Sequence, residues 1–266
     1  MFYVRTNDGV KIAVYDLNPT AAETVFLVHG WPLSHRIFEY QETPLICKGY
    51  RVVEIDLRGF GSSDKPACGY TYDRMADDIY AVVRALNLQN FTLAGYSMGG
   101  AIVLRYMARH RGYGVKKLAL LSAAAPRLTQ APGFCHGVPA SAVDQWAAGA
   151  STDRPALIRQ FGGMLFALPH SQAITDWLGD VSLSASGIAT IQTAAPCATR
   201  TAAPTRKGLR PHRRLPRPAG PGRPLRPRAR HAARHPKRRP LSLARAATAS
   251  LRRVDRFTCF LQFLAC

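Results

Sequence analysis

The sequence predicts an α/β fold built on a mostly parallel sheet. Short apolar runs bounded by glycines recur through its first half, as strands buried on both faces require. Between them lie longer segments with helical spacing. Strand–helix alternation of this kind is the pattern of a parallel sheet covered by helices.

The elements follow in order. Val10 to Leu17 reads as a strand. Thr24-Val25-Phe26-Leu27-Val28 is a short apolar run ending at His29-Gly30, and Arg51-Val52-Val53-Glu54-Ile55-Asp56 is another, ending at Arg58-Gly59-Phe60-Gly61. Tyr72 to Leu86 reads as a helix. Met75, Ile79, Val82, Val83 and Leu86 share one face, and Asp73, Asp77 and Asp78 enrich the first turns, where the helix dipole favours negative charge. Phe91 to Gly95 is a third apolar run, Ala101 to His110 a second helix, and Lys117 to Leu121 a fourth run. From 126 to 193 the pattern changes. Pro126, Pro132, Pro139, Pro155 and Pro169 punctuate helix-like pieces such as 141–148 and 155–166, with Trp146, Phe161, Phe166 and Trp177 as apolar bulk. This region reads as a helical insertion packed over one edge of the sheet.

The chain has 266 residues and a formal net charge of +20, and the charge is uneven. Residues 1–195 hold 17 basic and 15 acidic side chains, whereas residues 196–266 hold 19 basic ones and a single acid, Asp255. The two parts are therefore read separately. No apolar run reaches the roughly 18 residues of a membrane span. The start, Met1-Phe2-Tyr3-Val4-Arg5, lacks the pattern of a secretory signal. The six cysteines are scattered with no Cys-x-x-Cys pair, which argues against a disulfide framework or a zinc site and fits a cytoplasmic location.

The sharpest motif is Gly95-Tyr96-Ser97-Met98-Gly99-Gly100, after a strand and opening a helix. Gly-x-Ser-x-Gly in that context is a nucleophile elbow. The tight turn projects the Ser97 hydroxyl from the sheet, and Gly95 and Gly99 let strand and helix approach. The Met98 N–H then points where a tetrahedral oxyanion would form. His29-Gly30-Trp31-Pro32 follows another strand. In an acyl-transfer site its loop donates the second oxyanion N–H, from Trp31. The His29 imidazole itself reads as a pin for that loop.

These two motifs, together with Asp56-Leu57-Arg58-Gly59-Phe60-Gly61-Ser62-Ser63, resemble the α/β-hydrolase superfamily. Within it they are most similar to the cofactor-free haloperoxidase, perhydrolase and arylesterase-like group. The resemblance covers residues 1 to about 193, with a helical cap from about 126. It implies a serine nucleophile at Ser97, oxyanion donors at Trp31 and Met98, no metal or organic cofactor, and a small ester or acyl substrate.

The acid and the base are missing from this picture. The superfamily runs in the order serine, acid, histidine. Its acid often lies within His-Gly-x-x-Asp after the cap, and its histidine often within Gly-His near the C-terminus. Neither pattern occurs. No Asp or Glu lies between Ala194 and Arg253, and Asp255 follows every histidine. His212, His231 and His235 sit beside Arg and Pro. His136 and His170 in the cap, with Asp144, Asp153, Asp176 and Asp180, are the remaining substitutes. The expectation is an esterase-like hydrolase impaired as written.

Residues 196–253 contain 16 Arg, two Lys and ten Pro and no aromatic residue. Such a stretch buries too little apolar surface to order itself, so disorder is expected. One reading is a polybasic arm on a non-catalytic hydrolase fold, binding nucleic acid or anionic surfaces without sequence specificity. The reading preferred here is a frameshift over about 194–253. The resemblance stops abruptly, Arg, Pro, Ala and Gly are what a GC-rich gene encodes out of frame, and 254–266 again resembles the family's final helix. The family's last two strands would then be lost, leaving the strand at Lys117 to Leu121 as a bare sheet edge.

Overall fold

A computed structural model describes residues 1–166 and 169–199, with side chains to residue 194. The Arg/Pro-rich stretch beyond 199, the helix expected at 254–266, His212, His231, His235 and Asp255 lie outside the described residues.

The chain order is β1 (Phe2–Arg5), β2 (Lys11–Leu17), β3 (Glu23–Val28), a 3-10 turn (His35–Phe38) running into α1 (Glu39–Cys47), β4 (Tyr50–Ile55), α2 (Tyr72–Ala85), β5 (Phe91–Tyr96), α3 (Met98–Arg109) and β6 (Val115–Leu121). Four helices follow: α4 (Ala140–Thr152), α5 (Arg154–Leu165), α6 (Gln172–Leu183) and α7 (Gly187–Thr199). The sheet order is β1-β2-β4-β3-β5-β6. β1 and β2 join antiparallel, and β4, β3, β5 and β6 run parallel. The carboxyl ends of β3, β4 and β5 are therefore neighbours, and the three sequence motifs meet there.

Both faces of the inner parallel strands β4, β3 and β5 are largely buried, which is why they read as apolar runs. Phe26, Val28, Val53 and Ile55 pack on one face with Met75, Ile79, Val82 and Val83 of α2 and Ile102, Val103 and Tyr106 of α3. Val25, Leu27, Val52, Ala94 and Ala119 pack on the other with Ile37, Phe38, Leu45, Leu178 and Val181. Thr71 caps α2 by accepting from the Arg74 N–H at 3.2 Å. Arg58, in the loop after β4, is buried and donates to both oxygens of buried Asp78 on α2, at 2.6 and 2.7 Å. That pair ties the loop to the helix layer.

Four differences from the sequence reading have local causes. β1 was not expected, because only Val4 of its four residues is buried. α1 carries Pro44 inside it and buries only Gln41 and Leu45, so its period is weak. α3 starts at Met98, three residues before the expected 101; Gly99 and Gly100 are poor helix formers that packing overrides here. α7 runs unbroken from 187 to 199, across the boundary drawn at 193.

The cap is helical, as expected. α4 packs on α7 and α5, and α5 on α6. α7 and the residue before it also grip the sheet's loops: Ser186 N–H donates to Gly59 O at 2.9 Å and Gln192 Nε2 to Ala67 O at 3.0 Å. Among the described residues β6 pairs with β5 alone, and Leu120 on it is exposed. Among the described residues no helix is long and apolar enough to cross a membrane.

Candidate active site

Ser97 sits between β5 and α3 with φ 51° and ψ −116°. Such backbone costs a non-glycine residue on the order of 1–3 kcal/mol and persists only where surroundings impose it. Three hydrogen bonds do so. Ser97 N–H donates to Leu121 O at 3.0 Å, and Ser97 O accepts from Gly100 N–H at 3.0 Å and Ala124 N–H at 2.9 Å.

The glycines make room for the turn. A Cβ at Gly95 would lie 2.5 Å from Gly99 O and 2.7 Å from Gly100 N, both unyielding backbone atoms. One at Gly99 would overlap the carbonyl oxygens of Val28 and His29 at the end of β3. One at Gly30 would come within 2.9 Å of Ser97 Cβ. The loop after β3 thus lies directly against the serine, and Trp31, its next residue, is beside the elbow.

Met98 is the first residue of α3, where the helix leaves N–H groups without an internal acceptor. Neither the Met98 nor the Trp31 amide donates to a described residue. The dipole of α3 adds positive potential at the same point. The arrangement can hold an oxyanion formed at a carbon attached to Ser97 Oγ. The Trp31 indole is packed against Trp146 and Phe161 of the cap, with ring centroids 6.2 and 4.8 Å away, and its Nε1–H donates to Thr190 O of α7 at 2.9 Å. The loop carrying this amide is therefore braced by three cap helices.

His29 is fully buried and committed at both ring nitrogens. Its Nε2 accepts from the Leu57 N–H at 3.0 Å, so Nδ1 carries the proton and donates to Gly30 O at 2.8 Å. Burial lowers its pKa to about 4. It pins the loop in neutral form and is not available to Ser97. At the far end of the loop, the His35 N–H and Nδ1 both contact Asp56 Oδ1 at 2.8 Å. The Ser62 N–H donates to Asp56 Oδ2 at 2.8 Å. Burial pushes Asp56 up, but the His35 donors and the imidazoles outweigh it and hold the carboxyl below its usual range.

Five of the eight histidines lie among the described residues, and none meets Ser97 Oγ, which has no hydrogen-bond partner among them. His35 forms a histidine–carboxylate pair with Asp56, a feature the sequence reading did not single out, but its ring stacks on Tyr15 of β2, separated from β5 by the two strands β4 and β3. His110 pairs with Asp77 between α2 and α3 at 2.8 Å. His136 is exposed beside Cys135, and exposed His170 lies against Phe166. Asp144, Asp153, Asp176 and Asp180 are exposed; Asp153 caps α5 by accepting from Ala156 N–H at 3.0 Å, and Asp176 accepts from Gln172 at 2.8 Å. The structure brings together Ser97, Gly95, Gly99, Trp31 and Met98 and places no described acid or base with them.

The alpha/beta hydrolase fold family model matches residues 23–161. An AB hydrolase superfamily protein of Bacillus subtilis is 43% identical over 189 residues, 71% of this chain and 70% of that protein. An esterase of Exiguobacterium antarcticum superposes with a TM-score of 0.74 at 40% identity, covering 78% of this chain and 75% of that one. A bromoperoxidase of Bacillus anthracis gives 0.71 at 31%, covering 75% of each. Against the non-heme chloroperoxidases of Streptomyces lividans and Burkholderia pyrrocinia the chain spans a little over half of their length. The chain belongs to the α/β-hydrolase family and is esterase-like within it.

The buried His29 gives the site a testable acid limb. Its folded pKa lies below its unfolded one, so its contribution is complete above about pH 6.5 and is lost as pH falls toward 4. A shift of this size is about 3 kcal/mol. Gln carries one acceptor and one donor group of similar reach and does not titrate. Denaturant melts should show His29→Gln gaining on the wild type by roughly that amount between pH 6.5 and 4; a constant gap would contradict the assignment.

Proposed function

We propose that Ser97 is the nucleophile of an acyl-transfer site for small carboxylic esters. The observation that carries this is the strained serine at the start of α3, with the amides of Met98 and of Trp31 in the adjoining loop claimed by no described residue. Ser97 Oγ adds to the ester carbonyl carbon, and the carbonyl oxygen becomes an oxyanion between the two N–H groups. Collapse expels the alcohol and leaves acyl-Ser97. Water then attacks the acyl carbon, and the second collapse frees the acid and the serine. Hydrogen peroxide in place of water at that step gives a peracid, the side reaction expected of a perhydrolase or haloperoxidase relative.

Each addition needs a base for the Oγ or water proton and an acid to return it to the leaving group. No described residue supplies that pair, and the sequence beyond residue 194 has no carboxylate placed ahead of a histidine. An unassisted serine hydroxyl is a weak nucleophile. The rate that remains comes from the oxyanion donors and binding, on the order of 10³–10⁴ over water. The full chain should turn over p-nitrophenyl acetate slowly, and Ser97→Ala should remove that activity. Turnover unchanged in Ser97→Ala would refute the assignment; a fast Ser97-dependent rate would show that the chain holds a base after all.

The frameshift account of 194–253 belongs to the same reading. Translating the gene across codons 190–258 in all three frames should yield an apolar strand, a His-Gly-x-x-Asp-like turn and a later Gly-His. If no frame carries them, the Arg/Pro-rich segment is a genuine part of the protein and the impairment is intrinsic.

A further inference from the structure

Glu54 is the one carboxylate of the sheet that no cation answers among the described residues. It lies on β4 in register with Tyr15 of β2 and Leu27 of β3, its side chain under α1 and the 3-10 turn. It is fully buried, and its carboxyl has no hydrogen-bond partner among the described residues other than the Glu42 carboxyl of α1, a contact that requires one of the two acids to hold a proton. The titratable groups around it are all acids or already committed. Glu42 comes from α1 and Asp56 from the end of its own strand; Glu39 of α1 faces Glu42 and pairs with Arg36 of the 3-10 turn at 3.8 Å. His35, from the 3-10 turn, is held by Asp56, and Tyr15 hydrogen-bonds to Ser62 at 3.1 Å. A charged carboxylate here would be desolvated and would face Glu42 and Asp56.

We propose that Glu54 is held as a neutral acid and serves as a proton-dependent latch, keeping α1 and the 3-10 turn seated on the sheet and releasing them when it ionises. The consequence reaches the site through the backbone. The 3-10 turn begins at His35, four residues after Trp31, and His35 fixes the far end of that loop to Asp56. Burial first, then the charges of Glu42 and Asp56, push the Glu54 pKa up to about 9, consistent with this geometry.

The linkage sign is set by a folded pKa above the unfolded one. The contribution is complete below about pH 4.5 and declines as pH rises toward 9. Between pH 4.5 and 6.5 the His29 term runs the opposite way, so the latch is read above 6.5, where His29 is neutral in both states.

Two measurements on the full chain test it together. Infrared difference spectra should show a protonated carboxylic acid at pH 7 that disappears on titration toward pH 10 and is missing in Glu54→Gln. Over the same range the wild-type melting temperature should fall while that of Glu54→Gln stays level. Trp177, packed against Tyr40 of α1 and Arg36 of the 3-10 turn, should change its fluorescence with the infrared midpoint. Glu42→Gln, which removes a facing negative charge, should move that midpoint to lower pH. Absence of the acid band at pH 7 overturns the proposal on the wild type alone. An acid band that titrates with no change at Trp177, or a Glu54→Gln variant with the wild-type alkaline slope, overturns the latch.

Discussion

A serine can point out of the end of a sheet only if the chain turns from strand to helix within one residue. That turn is possible here because three neighbouring positions have no side chain. Gly95 lets the start of α3 fold back on β5, Gly99 lets α3 touch the carbonyls that end β3, and Gly30 lets the next loop lie on the serine itself. Ser97 takes the left-handed backbone conformation that results, and its carbonyl and amide are tied to Gly100, Ala124 and Leu121. The position of Trp31 follows from the same contact. So does the gap between the two amides, since one belongs to the residue after Ser97 and the other to the residue after Gly30.

The second layer of organisation is polar and buried. His29 and Asp56 hold the two ends of the Trp31 loop to the turn after β4, and Arg58 ties that turn to Asp78 on α2. Each group meets an opposite charge or a neutral hydrogen-bonding group except Glu54, two residues before Asp56, which meets only the carboxyl of Glu42. A scaffold that satisfies every other buried charge around the loop and leaves this one facing only acids has its alkaline pH sensitivity concentrated at Glu54, as its acid sensitivity is at His29. The cap adds a separate brace through the Trp31 indole, so the Trp31 loop is held from the sheet side by His29 and Asp56 and from the cap side by Thr190, Trp146 and Phe161.

Much of this was legible in the sequence, for reasons that differ by residue. The inner parallel strands were readable because burial on both faces leaves an apolar run. The elbow was readable because only glycine tolerates those approaches, and His29 as a pin because it follows a strand directly. The pairing of His35 with Asp56 was not, since it depends on how the 3-10 turn folds over β4. Nor was the isolation of Glu54, which alternates with Val53 and Ile55 and looks in sequence like a solvent-facing residue. α1 was hidden by Pro44, and α7 by a composition that runs without a break into the Arg/Pro-rich segment. The sequence also lacks the family's order of an acid and then a histidine after the cap, and among the described residues no acid or base meets Ser97.

The central claim is the proposal that Ser97 acts beside two amides, of Trp31 and Met98, that no described residue claims, although no described base activates it. Binding of a boronic acid tests that geometry without demanding turnover, because a tetrahedral adduct on Ser97 Oγ places an oxygen where the oxyanion would be. Amide ¹⁵N–¹H spectra recorded through such a titration should move the Trp31 and Met98 resonances together, and only in the protein that retains Ser97. If both amides stay in place, or move equally in Ser97→Ala, the elbow and its donors do not form the site described.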